Sequence, residues 1–401
     1  SELQNAIYAK MVDKVGNKRY WEQWAEDISI IAERHKKRIM QLISTDEKHK
    51  KDFQEYMAGL HKNINPYITE EEAIEMLAQH LITQPIFQAV FKDFAFADNN
   101  SVSVAMSKIL DLLDNDGSME HDRQVLDGFY RQVQVSCQNL NSAEAKQKMI
   151  LELYDTFFKT ALPKTVQKLG IVYTPVPVVD FIIHSVNDAL KKEFNRTLSD
   201  ENVHILDPFT GTGTFIVRLL ESGYIKKEDL ERKYEQELHA NEIVLLAYYI
   251  ATVNIENAYH DLVGETDEYT PFDGICLTDT FQINENAENE DRIFSEVFPK
   301  NSERVVKQKN TPIRVIISNP PYAAWQKNAN DNNQRNSYPQ LENRVTDTYA
   351  AGSTATNKNS LYDSYVKAFR WASDRIDPNN GGVIGFVTNG GWLDAASFDG
   401  F

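Results

Sequence analysis

Two stretches of the chain combine residue types and spacings that can do chemistry. The first is Asp207-Pro208-Phe209-Thr210-Gly211-Thr212-Gly213-Thr214. It stands between a short apolar run, Val203 to Leu206, and a second one, Phe215 to Leu220. The first run reads as a buried strand and the second as the start of a helix. A glycine-rich turn between strand and helix brings bare backbone against a ligand. A dinucleotide site wants Gly-x-Gly-x-x-Gly, but Ile216 stands where the third glycine would fall. A nucleoside triphosphate loop wants Gly-Lys-Ser/Thr, and no such lysine is present. The Asp207 carboxylate repels phosphate and suits a cationic amino group. S-adenosylmethionine carries an ammonium and a sulfonium and no phosphate, so it fits this turn.

The second stretch is Asn319-Pro320-Pro321-Tyr322, at the end of the apolar run Val315-Ile316-Ile317-Ser318. Two prolines fix the backbone and remove two amide donors. Backbone carbonyls stay free to accept, Asn319 adds another acceptor, and Tyr322 offers a flat face. That set suits an exocyclic amino group on a planar base. Asn319 and a main-chain carbonyl accept the amino protons, which localises the nitrogen lone pair for attack on an activated methyl. Tyr322 stacks on a base taken out of the duplex. The catalytic candidates are therefore Asn319, Pro320, Pro321 and Tyr322.

Two further acids follow strand-like runs. Glu242 ends Leu238-His239-Ala240-Asn241 and is placed to accept from ribose hydroxyls. Asp279 follows Ile275-Cys276-Leu277-Thr278 and is placed to accept from an adenine amino group, with Phe281 packing on the ring. Asp207, Glu242 and Asp279 would line one carboxyl edge of a parallel sheet, where ligands bind in such folds.

The chain resembles the gamma class of amino-methylating DNA methyltransferases, in particular the methyltransferase part of type I and type ISP (single-polypeptide) restriction-modification enzymes. The resemblance rests on Tyr173-Thr174-Pro175, Asp207 to Gly213, Asn241-Glu242, Thr278-Asp279-Thr280-Phe281 and Asn319 to Tyr322, in that order. It covers roughly Leu169 to Trp392. It implies a Rossmann-like, S-adenosylmethionine-dependent α/β core. It also implies double-stranded DNA with a flipped adenine as substrate, and a bacterial-type cytoplasmic setting. Tyr173 and Thr174 would lie over the methionine end of the cofactor. Pro208, Thr210, Gly211, Gly213, Thr214 and Thr280 join the cofactor-binding set. Lys358-Asn359-Ser360 would border the base pocket.

The elements that must position these residues can be read in order. Residues 1–165 read as an all-α helical domain. Candidate helices are Tyr20 to Ile43, a capping-box start at Thr69-Glu70-Glu71-Glu72, Ser103 to Leu113, and Ala143 to Leu169. By resemblance this is the connector that follows a nuclease and a helicase in type ISP enzymes. Its basic runs, His35 to Arg38 and Lys48 to Lys51, read as solvated helix faces. Residues 166–401 form the catalytic domain. Thr174 reads as the N-cap of a helix starting at Pro175. Ala324 to Asn359, rich in Asn, Gln, Ser and Thr, reads as a long loop. Lys327, Arg335 and Arg344 on it are candidate phosphate contacts. Glu285 to Asp291 reads as a solvated acidic loop. Leu361 to Ile376 reads as a helix and Gly381 to Thr388 as a fifth strand. By resemblance, further sheet elements and a target-recognition domain would follow Phe401. With Ser1 in place of Met, the expectation is a piece of a longer enzyme.

The composition sets bounds. The chain has 401 residues and a formal net charge of −17, so DNA binding needs a local basic surface or a separate module. Two cysteines without close pairing give no disulfide framework and no zinc site, and no metal is expected. No run spans a bilayer. The reaction expected is methylation of adenine N6. Methylation of cytosine N4 uses the same chemistry. An RNA or protein-glutamine methyltransferase and an inactive cofactor-binding coupling segment are the other readings. C5 methylation of cytosine needs a nucleophilic cysteine, placed by its family after a proline, and neither Cys137 nor Cys276 follows one.

Overall fold

The computed structural model describes residues 17–90, 99–113, 174–264, 269–285, 294–322 and 337–401. By contacts the chain divides into two compact units. One comprises Ser1–Gln54, Glu70–Ala97 and Met106–Leu169; the other comprises Glu55–Thr69, Asp98–Ala105 and Gly170–Phe401.

Among the described residues four helices come first: α1 (Asn17–Thr45), α2 (Glu47–Asn63), α3 (Glu70–Val90) and α4 (Ser101–Leu113). In the first unit Ile31, Ile39 and Leu42 of α1 are buried, as are Ile74, Leu77 and Leu81 of α3. Spacings of eight and three on α1, and of three and four on α3, put these residues on single helix faces. The basic run on α1 behaves as a helix surface, with Lys36 paired to Glu33 at 2.9 Å and to Glu75 at 3.6 Å. The expected helix from Ala143 to Leu169 lies outside the described residues.

The second unit is built on a parallel sheet. Helix α5 (Val176–Phe194) leads into β1 (His204–Asp207), α6 (Thr214–Glu221), β2 (Leu238–Glu242), α7 (Leu245–Val263) and β3 (Ile275–Leu277). Then come α8 (Thr280–Glu285), α9 (Pro299–Asn310), β4 (Ile313–Ser318), α10 (Pro339–Val345), α11 (Ser364–Arg375) and β5 (Val383–Phe386). The strand order is β3-β2-β1-β4-β5 and every pairing is parallel. The order reverses between β1 and β4. A crevice opens at the carboxyl ends of such a pair, because the chain leaves the two strands towards opposite faces. Asp207 ends β1, and Ser318-Asn319 closes β4 on the other side of that point.

Successive strand residues point to opposite faces. Ile317 and Gly385 face Ile182 and Val186 of α5. Leu206, Ile316 and Ile384 face the other way, into a cluster with Phe281, Tyr338, Leu341, Ala368 and Trp371. Helices therefore cover both faces, as unbroken apolar parallel strands require.

Gly213 caps α6 with φ of 86°. A Cβ there would lie 3.2 Å from the Ala251 backbone, so the turn needs glycine for both conformation and space. Gly213→Ala is expected to destabilise the protein by about 1–3 kcal/mol, read as a lower thermal midpoint.

Two expectations are corrected. The stretch from Ala324 to Asn359 is not loop throughout, since α10 and a following helical turn, Thr346–Ala350, occupy its later part. Leu341 and Val345, spaced by four, are buried within a polar composition that masked their pattern. Glu285 is not solvated loop either: it ends α8, and its oxygens accept from Gln340 N and Leu341 N at 2.9 Å, at the start of α10. A carboxylate there satisfies free helix N–H groups.

Candidate active site

The turn after β1 is tied down from three sides. Thr210 Oγ1 donates to Asp207 O at 2.9 Å, and Thr210 N donates to Asn241 O at 3.0 Å. Thr280 Oγ1 donates to Pro208 O at 2.5 Å and accepts from Asn241 Nδ2 at 3.3 Å. Glu242 reaches across from β2, where its Oε2 accepts from Gly211 N and its Oε1 from Val244 N, both at 2.8 Å. The ends of β2 and β3 thus fix the backbone that leads out of β1. Thr214 opens α6 on the far side of Gly213.

Asp207 is fully buried. Its Oδ1 accepts from Ser318 Oγ at 2.6 Å and from Phe209 N at 3.3 Å, while Oδ2 is buried without a partner. Burial pushes its carboxyl up to about 7, with the nearby Glu242 charge adding to the effect. Burial also pushes Glu242 up to about 7. Two costly acids on one edge, one with an empty lone-pair face, are what a cationic ligand relieves.

Asp279 follows β3. Its Oδ2 accepts from Tyr338 Oη at 2.7 Å and from Asn65 Nδ2 at 2.5 Å, and its Oδ1 accepts from Phe281 N at 3.0 Å. The Phe281 ring packs edge-on between Phe209 and Tyr338, with centroids 5.3 and 5.2 Å away.

Across the switch point, Asn319 Nδ2 donates to Thr174 Oγ1 at 3.0 Å, and its Oδ1 is buried without a partner. This corrects the capping role expected of Thr174: Pro175 is the N-cap of α5 and no side chain caps it. The hydroxyl is instead held by Asn319. One amide face is thereby committed to Thr174 and the carbonyl face is left to accept. Pro320 is buried and Pro321 half-buried. Tyr322 Oη donates to Val387 O at 2.6 Å, and its ring lies 6.2 Å from that of Tyr365. Thr174→Val is expected to lower turnover by about tenfold, with Thr174→Ser restoring the rate. Single-turnover kinetics of the three proteins check it.

The sequence reading missed Ser318, Asn65 and Tyr338. A lone hydroxyl ending an otherwise apolar strand was the available signal for Ser318. The other two left none. Arg344 is engaged with Asp374, Nε at 3.0 Å and Nη2 at 2.8 Å, so its guanidinium is not free for phosphate in this arrangement. Tyr173, Lys327 and Arg335 lie outside the described residues. Among the described residues no group of three or more His, Cys, Asp or Glu is placed to hold a metal ion. No described helix is long and apolar enough to cross a membrane.

The lining of the site fits S-adenosylmethionine. Asp207 Oδ2 is an unpartnered buried acceptor, and Gly211, with φ of 57°, has open space where a Cβ would stand. Fold and site together define a Rossmann-like α/β methyltransferase core. The sequence profile of the N-6 DNA methylase family matches residues 145–351, and that of the type ISP restriction-modification enzyme coupler domain matches residues 20–145. Among solved structures, a nuclease-deletion mutant of the type ISP enzyme LlaGI in complex with a DNA substrate mimic is 45% identical. It covers 100% of this chain and 32% of its own, with a TM-score of 0.90. The ATP-dependent type ISP enzyme LlaBIII bound to DNA is 46% identical over 99% of this chain and 27% of its own, also at 0.90. The DrdV–DNA complex is 33% identical over 95% and 36%, at 0.84. Comparison with curated proteins gave no match. The chain belongs to the N-6 DNA methylase family, and it spans about a third of the length of these structures' chains.

Proposed function

We propose that this chain is the coupler and methyltransferase part of a longer type ISP-like restriction-modification enzyme. It transfers a methyl group from S-adenosylmethionine to the N6 amino group of an adenine turned out of double-stranded DNA. Its helical connector spans residues 1–165 and its catalytic domain residues 166–401. Nuclease, helicase and target-recognition domains belong to the parent polypeptide, which acts in a bacterial cytoplasm.

One observation carries the reading. Two buried acceptors without partners, Asp207 Oδ2 and Asn319 Oδ1, flank the switch point, and Ser318 joins their elements. The cofactor, when bound, supplies an electrophilic methyl on a sulfonium. Asp207 holds its ammonium, Glu242 accepts from its ribose, and Asp279 accepts from its adenine amino group. Tyr173, Pro208, Thr210, Gly211, Gly213, Thr214 and Thr280 shape the backbone around it, and Phe281 packs beneath its base. Asn319 Oδ1 and the Pro320 carbonyl accept the two protons of the target amino group. The nitrogen lone pair is then withdrawn from the ring and aimed at the methyl. Pro321 holds that carbonyl's orientation, and the Tyr322 ring stacks on the extruded base. No general base is needed before the C–N bond forms, because the amine becomes acidic only as it does so.

Calorimetric titration with S-adenosylmethionine, with NADH as control, tests the reading. Binding of the first alone is expected. Mass analysis of DNA methylated by the full-length polypeptide is expected to find the added methyl on deoxyadenosine. Methyl on deoxycytidine would move the assignment to cytosine N4, and a folded protein that binds no cofactor would overturn it.

A further inference from the structure

Asn65 lies 214 residues before Asp279. It is outside the residues matched by the methylase profile and inside those matched by the coupler profile. Yet the segment Glu55–Thr69 belongs to the same compact unit as the sheet. Two asparagines fasten it there. Asn63 Nδ2 donates to Ser302 Oγ at 2.9 Å, and Asn63 Oδ1 accepts from Asn301 Nδ2 at 2.9 Å. Asn301 in turn holds the last residue of β3, with its Oδ1 accepting from Leu277 N at 2.9 Å and its Nδ2 donating to Leu277 O at 3.0 Å. Asn65 then reaches the acid that follows β3. Its Nδ2 donates to Asp279 Oδ2, and its Oδ1 accepts from Tyr67 N at 2.8 Å, which fixes the amide orientation. Tyr338 donates to the same Asp279 oxygen. Asn65 is 2% exposed, Asp279 5% and Tyr338 8%, so the cluster is buried.

We infer that Asn65, together with Tyr338, is a specificity-determining positioning residue for the base of the cofactor: the pair keeps Asp279 an acceptor only, in one orientation, so that it takes an amino group and rejects an oxo group. The assignment rests on the cofactor reading above. The physical ground is the double donation. An ionised carboxylate only accepts, whereas a protonated one also donates. Burial, the largest influence, pushes the Asp279 carboxyl above its ordinary value, and the Tyr338 and Asn65 hydrogen bonds pull it back toward the ionised, acceptor-only form. Losing either donor shifts the acid further toward its protonated form, which can donate to a 6-oxo group. Discrimination between adenine and hypoxanthine then falls.

The test compares binding of S-adenosylhomocysteine and S-inosylhomocysteine to the 401-residue chain by calorimetry. The wild type is expected to prefer the adenine compound by about 100-fold. Asn65→Ala is expected to narrow that ratio by about tenfold. A residue that merely braces the fold would weaken both compounds equally. An unchanged ratio in folded Asn65→Ala protein overturns the assignment. Should that variant fail to fold, Tyr338→Phe decides alone, because it deletes a donor to the same oxygen and keeps the ring: a narrowed ratio supports the assignment and an unchanged one overturns it. A wild type that binds neither compound removes the cofactor reading itself, and needs no variant to show it.

Discussion

Asn319→Ala is expected to lower the rate of methyl transfer by about 10²–10³-fold while leaving cofactor affinity within about twofold. The acceptor it removes acts on the target amine and not on the cofactor. Charge develops on that nitrogen only as the methyl arrives, so an acceptor aimed at its protons counts most in the transition state. Asn319 Oδ1 is buried and unpaired without substrate, so it needs no reorganisation to act. Asn319→Asp keeps the shape and an acceptor but reverses the bond to Thr174, whose hydroxyl then donates to the carboxylate, and it adds a charge at the site. It should recover only part of the rate. Single-turnover transfer of a labelled methyl to DNA by the full-length polypeptide checks both. Equal losses in rate and in cofactor affinity would mean that Asn319 belongs to the cofactor pocket instead.

Asp207→Asn is expected to do two opposite things. Cofactor affinity should fall by about 10–150-fold, the worth of a hydrogen bond to a charged group in a buried site. The ligand-free protein, by contrast, should become more stable. In the folded chain Asp207 titrates near 7, above its ordinary value of 3.8. Its protonated form is thus favoured by folding. The wild type loses stability as pH rises from about 4 to about 7 and no further above that. At about 1.4 kcal/mol per pKa unit the full penalty is roughly 4 kcal/mol. The asparagine NH₂ left facing the unpaired position costs about 1–3 kcal/mol of that back. A net gain of about 1–3 kcal/mol is therefore expected above pH 7, vanishing or reversing near pH 4. Denaturant unfolding at pH 8 and pH 4.5, beside cofactor titration at pH 8, reads both effects. A variant destabilised at pH 8 would show that Asp207 serves the fold rather than the ligand.

These two residues also show where the sequence was legible. A parallel strand buried on both faces must be a contiguous apolar run. Val203 to Leu206, Val315 to Ile317 and Ile275 to Leu277 therefore announced β1, β4 and β3, and the acid or asparagine just beyond each marked the carboxyl edge. The glycine turn was legible because only glycine tolerates a positive φ and close backbone contact, as Gly213 does against Ala251. Local pattern thus determined the sheet, the order of its motifs and the edge on which they lie.

Partnership between distant side chains was beyond that reach. Ser318 meets Asp207 across 111 residues, Thr174 meets Asn319 across 145, and Asn65 meets Asp279 across 214. No periodicity records such a pair, since one hydrogen bond leaves the neighbouring sequence free. Thr174 followed by Pro175 carried the local signature of a helix cap, yet its hydroxyl went to Asn319, because the tertiary structure set an amide beside it. The sequence by itself determined which elements form and which end of the sheet holds the chemistry. Only the tertiary structure decided which acceptors are left without partners there. That depends on which donors the packing of remote segments brings to each carboxylate and amide.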